Sequence, residues 1–171
     1  MQNGKDILTN KVEQQFKPYM AKATLDDCLV LGKKLRKEDQ QEIKALANLE
    51  GVPSLILGLQ SSHFVNSIFT KDDVICGMFG VQGELGKDAA VWMLASDEIE
   101  EIAIPFLRQS RKVVEYMNKL HPVLHNVVDA RNTLHLNWLK WCGFQFINKE
   151  NIGYENKPFY SFIRICAYQQ S

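Results

Sequence analysis

The chain has 171 residues, with 20 Lys and Arg against 20 Asp and Glu and 46% hydrophobic residues. That length suits one domain, and that apolar share excludes disorder through the whole chain. A formal charge of zero argues against a general nucleic-acid coat or a basic membrane binder.

No apolar run is long enough for a membrane span. The start, MQNGKDILTNKVEQQF, has no apolar core and no small-residue cleavage site, so no secretory signal is read. Residues 1–18 read as a polar, amide-rich arm in which Leu8, Val12 and Phe16 recur at helical spacing. The main domain is expected over residues 19–171. Thr24 can cap a helix with Asp26 and Asp27 in its first turn, where carboxylates suit the positive end of the helix dipole. Leu25, Leu29, Leu31 and Leu35 supply its apolar positions. Glu42, Ile43 and Leu46 continue after a polar break at residues 36–41, so two helices joined by a tight turn are predicted across residues 24–47. Lys33, Lys34, Arg36 and Lys37 form a basic cluster followed at once by Glu38 and Asp39, which reads as a solvated helix face. Pro53 opens a further helical stretch from Leu55 to about Gln60.

Residues 66–70 and 74–81 are short and apolar or β-branched, and Lys71-Asp72-Asp73 separates them as in a hairpin. Gly83 and Gly86 punctuate a loop, and AAVWMLA at residues 89–95 reads as a buried central strand. Pro105 fits the first turn of a helix with Phe106, Leu107, Val113, Val114, Met117 and Leu120 on its apolar face; Pro122 stops it. Residues 123–130 read as a strand. Asn132 or Thr133 caps a short helix ending at Cys142, where Gly143 supplies a left-handed terminator and Phe144 its apolar contact. Residues 145–148 and 159–168 are the final strands. Cys28, Cys76, Cys142 and Cys166 have no paired spacing, so reduced buried thiols are expected rather than zinc ligands.

These elements predict an α+β or mixed α/β domain, with about six to seven strands in one twisted sheet and about four helices on its faces. The strands at 89–95 and 123–130 should be parallel, because a whole helix connects them.

The stretch from Asp129 to Phe144, DARNTLHLNWLKWCGF, together with this element order, resembles the GNAT N-acetyltransferase superfamily. In that superfamily an Asn after the fifth strand opens a helix that ends in Gly-Phe; Asn132 and Gly143-Phe144 hold those places here. A closer resemblance is to the GNAT-like internal virion protein family (gene product thirteen) of short-tailed phages. It is carried by LRKED at 35–39, MFGV at 78–81, FLRQSR at 106–111, VDARN at 128–132 and the segment from Gly153 to Phe159. It implies location in a phage virion or host cytoplasm, with a virion or host protein as partner.

The superfamily resemblance implies that the fourth and fifth strands splay apart and admit acetyl-CoA. Backbone groups of Met93, Leu94 and Ala95 would hold the acyl carbonyl and pantetheine, and Asn132 would contact the cofactor arm. The reaction is attack of an amine, here an unknown acceptor, on a thioester. It needs an anion cradle, an oxyanion donor, a base and an acid. The cradle is usually a glycine-rich turn, yet residues 96–105 read SDEIEEIAIP with no glycine and four carboxylates. Arg108 and Arg111, one turn further, could offset that charge or lie on a solvated face. The usual tyrosine acid is replaced by Leu139. His135 could titrate near neutrality or be structural. Candidate bases are Glu84, Asp129 and His125; Asp129 could equally pair with Arg131 or cap the next helix. Two readings follow from the resemblance: an acetyl-CoA-dependent N-acetyltransferase, or a non-catalytic virion, assembly or host-binding protein that keeps the fold.

Overall fold

The computed structural model describes residues 20–167; the arm expected at residues 1–18 lies outside them. In chain order the elements are β1 (Met20–Lys22), α1 (Leu25–Leu31), α2 (Lys37–Ala47), α3 (Gly51–Ser61), β2 (Phe64–Phe69), β3 (Ile75–Gln82) and β4 (Ala89–Ala95). A 3-10 helix (Asp97–Ile102), α4 (Ala103–Leu120), β5 (Val123–Asp129), α5 (Thr133–Trp141), β6 (Gln145–Ile152) and β7 (Lys157–Ile165) complete them. The strands form one mixed sheet in the order β1-β2-β3-β4-β5-β7-β6. Every neighbouring pair is antiparallel except β4 and β5, which are parallel as their helical connection requires. The mixed architecture expected from the element order is therefore present, with five α-helices rather than about four.

Alternation along the strands divides the core in two. Phe64 and Ile68 of β2, Val91 of β4 and Val128 of β5 pack with Val113, Val114 and Met117 of α4 and Leu139 of α5. The opposite face buries Val65, Met78 and Leu94 against Cys28 and Leu31 of α1, Ile43 of α2 and Leu55 of α3. The sheet is thus a wall between two helical layers, and a ligand reaching one layer from the other must pass through it. All four cysteines are free and buried.

Local rules set the helix ends. Thr24 Oγ1 accepts from the Asp27 N–H at 3.2 Å and Asp27 Oδ2 accepts from the Thr24 N–H at 2.9 Å, a reciprocal cap. At the end of α5 the Phe144 N–H donates to the Leu139 carbonyl and the Gly143 N–H to the Lys140 carbonyl. Gly143 sits at φ +84°, and Phe144 is buried, the Schellman arrangement with its apolar contact.

Three expectations are corrected. Arg36 is buried rather than part of a solvated basic face, because Asp39 pairs with it one turn later at 2.6 Å; a buried charge needs such a partner. Leu25 and Leu29 are exposed, so Cys28 and Leu31 carry the apolar face of α1. β6 runs on to Ile152 instead of ending at Asn148, because its ladder with β7 continues to Ile152–Lys157 and turns through positive φ at Gly153 and Asn156.

Replacing Gly143 with Val should destabilise the protein by about 1–3 kcal/mol, because a β-branched residue resists positive φ. Urea unfolding checks this; a variant as stable as the parent would show that the terminator is dispensable.

Candidate functional site

β4 and β5 each have seven residues but pair only at Ala89–Leu124 and Ala90–His125. Beyond that point they diverge. At the apex, Asn126 Nδ2 donates to the Val91 carbonyl at 2.8 Å, a side chain standing in for the next rung. Alternation turns the peptide groups of Val91, Met93 and Ala95 toward β5, while Ala90, Trp92 and Leu94 face β3. Of these, Val91 is capped by Asn126.

The open end is spanned by α2. The Ala95 N–H donates to Asp39 Oδ2 at 2.8 Å, and the Arg36 N–H to the Ala95 carbonyl at 2.9 Å. On the other side the Asp129 N–H donates to Glu42 Oε2 at 3.0 Å. Asn132 ties the two together: its Nδ2 donates to Asp39 Oδ1 at 2.9 Å and to Glu42 Oε2 at 3.3 Å, and its Oδ1 accepts from Arg36 Nη2 at 3.2 Å. Arg36, Asp39 and Glu42 recur every third residue and therefore share one face of the α2 turn.

Between apex and open end lies a cavity of about 320 Å³. Val91 and Met93 of β4 and Asn126 and Val127 of β5 flank it; α2 and α3 line it on one face of the sheet, α4 and α5 on the other. It passes through the wall. The Met93 peptide faces this space, between covered neighbours at Val91 and Ala95. Glu42 and His135 meet at its edge, with Oε1 3.7 Å from Nδ1.

Burial pushes Glu42 up to about 8, and the neighbouring Asp39 charge adds to it; the Asp129 N–H and Asn132 amide pull the other way. Burial pulls His135 down to about 4. Near neutral pH both are uncharged, so their contact is not an ion pair.

The other candidates are placed as follows. Asp129 is buried and accepts from the Arg131 N–H at 2.9 Å, from Nε at 3.0 Å and from Nη2 at 2.6 Å. Glu84 is exposed in the β3–β4 loop, and His125 is exposed at the paired, closed end of the wedge. Arg108 and Arg111 are exposed on α4; Arg111 lies 3.7 Å from Glu115 and stacks on Trp141. Leu139 is a core residue. The residues that sequence reasoning missed are Arg36, Asp39 and Glu42. Their signal was the three-residue spacing on a face that also carries Ile43.

An acyl-pantetheine arm fits the wedge, which offers an apolar passage and the Met93 peptide. Residues 97–102 offer the diphosphate of acetyl-CoA no glycine-rich cradle. Residues 97–102 form a 3-10 helix of sequence DEIEEI, and the nearby Lys34 is held by Glu98 at 2.9 Å. Ser96 and Lys34 hold the Glu98 carboxyl down at about 2.

No protein-family model matches the chain, and no curated protein sequence does. Solved structures match over most of its length. A GNAT-superfamily phosphinothricin acetyltransferase from Sinorhizobium meliloti, in complex with AcCoA, aligns with TM-score 0.68 at 9% identity, covering 88% of this chain and 89% of that one. A GNAT-family acetyltransferase from Streptococcus pneumoniae aligns with TM-score 0.62 at 12% identity, covering 86% and 98%. A ribosomal-protein-alanine N-acetyltransferase from Brucella melitensis gives TM-score 0.62 at 12% identity, covering 85% and 98%. The fold is that of the GNAT acetyltransferases.

Replacing Asp39 with Ala should cost about 3–5 kcal/mol in urea unfolding, because it leaves Arg36 buried without its partner; a cost under about 1 kcal/mol would mean that the network is not what holds α2. Glu42 is raised from 4.5 to about 8 on folding, so its contribution is full below pH 4.5 and lost as pH rises through about 8. His135, lowered from 6.5 to about 4, contributes fully above pH 6.5 and loses that as pH falls. The two oppose each other between pH 4.5 and 6.5. From pH 6.5 to 8 Glu42 acts unopposed, and the parent should lose up to about 1.4 kcal/mol per pH unit relative to Glu42→Gln. Parallel unfolding curves for the two proteins across that window would contradict this.

Proposed function

We propose that the chain is an N-acyltransferase, with acetyl-CoA as the candidate donor and an amine of unknown identity as acceptor. The observation that carries this is the splayed β4–β5 pair, with a passage through the sheet and a titratable carboxyl on its wall. The fold likeness agrees with it.

Acetyl-CoA would supply an activated acyl carbonyl. The Met93 N–H, facing the opening, is the donor for the oxyanion that develops when an amine attacks that carbonyl. Glu42 takes the ammonium proton as the C–N bond forms, and the CoA thiolate released when the C–S bond breaks takes a proton from solvent. A carboxyl near 8 is matched to that task, being a base above that pH and strong enough to accept. Asp129, through its N–H, and Asn132 position Glu42. His135 is neutral at pH 7 and borders the amine's path without supplying a charge. In this reading Met93 acts as a main-chain donor and Asn132 acts through Glu42.

A specific observation favours a second reading, a non-catalytic protein that keeps the fold. Asp39 and Arg36 occupy the Ala95 peptide, where pantetheine would bind, and residues 97–102 offer a diphosphate no glycine-rich cradle. Under that reading the resemblance to the phage internal virion family directs attention to virion assembly or host-protein binding.

Acetyl-CoA should raise the melting temperature by several degrees, increasingly with concentration. With an amine acceptor, kcat/KM should rise with pH through about 8 in the parent and lose that dependence in Glu42→Gln. No thermal shift at millimolar acetyl-CoA would remove acetyl transfer, and none with any acyl-CoA would remove the transferase reading in favour of the second.

A further inference from the structure

We propose that the passage through the sheet is an alkyl-chain site, and that the acyl group this protein takes is medium-chain rather than acetyl. The proposal rests on the acyltransferase reading for the thioester, while the alkyl site can be tested without it.

Three observations carry it. First, the cavity wall is apolar where it crosses the sheet and beyond: Val91 and Val127 flank the gap, and Val113, Met117, Leu139 and Phe162 line the space past it. An acetyl group needs none of that depth, and apolar voids of this kind stay dry and take apolar ligands. At about 320 Å³ the space lies at the lower end of the usual range for ligand sites. Second, two glycines make room for Trp92 on the α3 side of the passage. A Cβ on Gly58 or on Gly80 would come within 2.7 Å of the Trp92 ring. Trp92 is therefore seated between α3 and β3, with Nε1 anchored on Ser62 Oγ at 2.9 Å, and forms a flat apolar wall rather than a plug. Third, the polar groups at the rim suit an acyl headgroup. Glu42 carries its proton near neutral pH, so it places no charge against an alkyl chain. Trp138, in the same wall, buries an indole N–H that has no partner, and an acyl oxygen is a group that would accept from it.

The arrangement puts the thioester beside the Met93 peptide and the tail through the gap at Val91 and Val127 toward Val113 and Met117. Each methylene withdrawn from water gains roughly fourfold in affinity when fully buried. Even partial burial of an octanoyl tail should then exceed the affinity for acetyl by about tenfold.

The test is calorimetric titration of the full chain with CoA, acetyl-CoA, octanoyl-CoA and sodium decanoate. Octanoyl-CoA should bind at least about tenfold more tightly than acetyl-CoA, and decanoate should bind measurably. In Val127→Phe, shown to be folded by its melting curve, octanoyl-CoA should fall to the acetyl-CoA value. Equal binding of acetyl-CoA and octanoyl-CoA by the parent would overturn the alkyl site and leave the acyltransferase reading standing. Decanoate binding with no CoA thioester bound would support the alkyl site and overturn that reading. Binding of no alkyl ligand would overturn the proposal, and the titrations of the parent decide it even if the variant does not fold.

Discussion

The structure depends on one missing ladder. β4 and β5 run parallel and side by side, yet exchange backbone pairing over only two residues. Each peptide beyond that point must find another partner or face a cavity, because a buried unpaired N–H costs as much as a lost hydrogen bond. The molecule answers with side chains. Asn126 completes the apex, Asp39 and Arg36 take the end of β4, and Glu42 takes the end of β5. What lies between is a hole in a wall that otherwise separates two hydrophobic layers.

The position of α2 follows from this need. Its first turn is held against the sheet less by an apolar stripe than by an Arg–Asp–Asn–Glu network fixed at both strand ends. Such a network is costly to desolvate and is tolerated only when every member is satisfied. Glu42 is the exception within that network. Two donors reach one of its oxygens, but burial and the adjacent Asp39 still favour the protonated form. A carboxyl held near 8 on the wall of a channel is more informative about chemistry than the fold, which hosts many functions.

The same contacts create a tension. The groups that stabilise the open end also cover the Ala95 peptide, and the acidic 3-10 helix stands where a diphosphate would be neutralised. Likeness to GNAT structures at 9–12% identity establishes architecture, and architecture places a wedge. It does not place a glycine-rich cradle in residues 97–102. Under the proposed acyltransferase reading, donor recognition would fall on the apolar passage and on the few main-chain groups left facing it.

Much of the architecture was legible in the residues. The Thr24 cap, the Gly143-Phe144 terminator, the β2–β3 hairpin and the parallel β4–β5 pair all follow from short-range stereochemistry or from the length of a connection. Those are properties of a few neighbouring residues or of topology rules, so a linear reading reaches them. The site was not legible in the same way. Arg36 and Asp39 look like solvated charges until the end of β4, 56 residues from Asp39, supplies partners, and the partner of Glu42 lies at the end of β5, 87 residues away. Asn132 was legible as a helix cap, and its second role as the link between two carboxylates was not. The order of residues determined where helices begin and strands turn. Burial of charge, the displaced titration of Glu42 and the opening through the sheet were decided in three dimensions, because each depends on which distant groups exclude water from the same few ångströms.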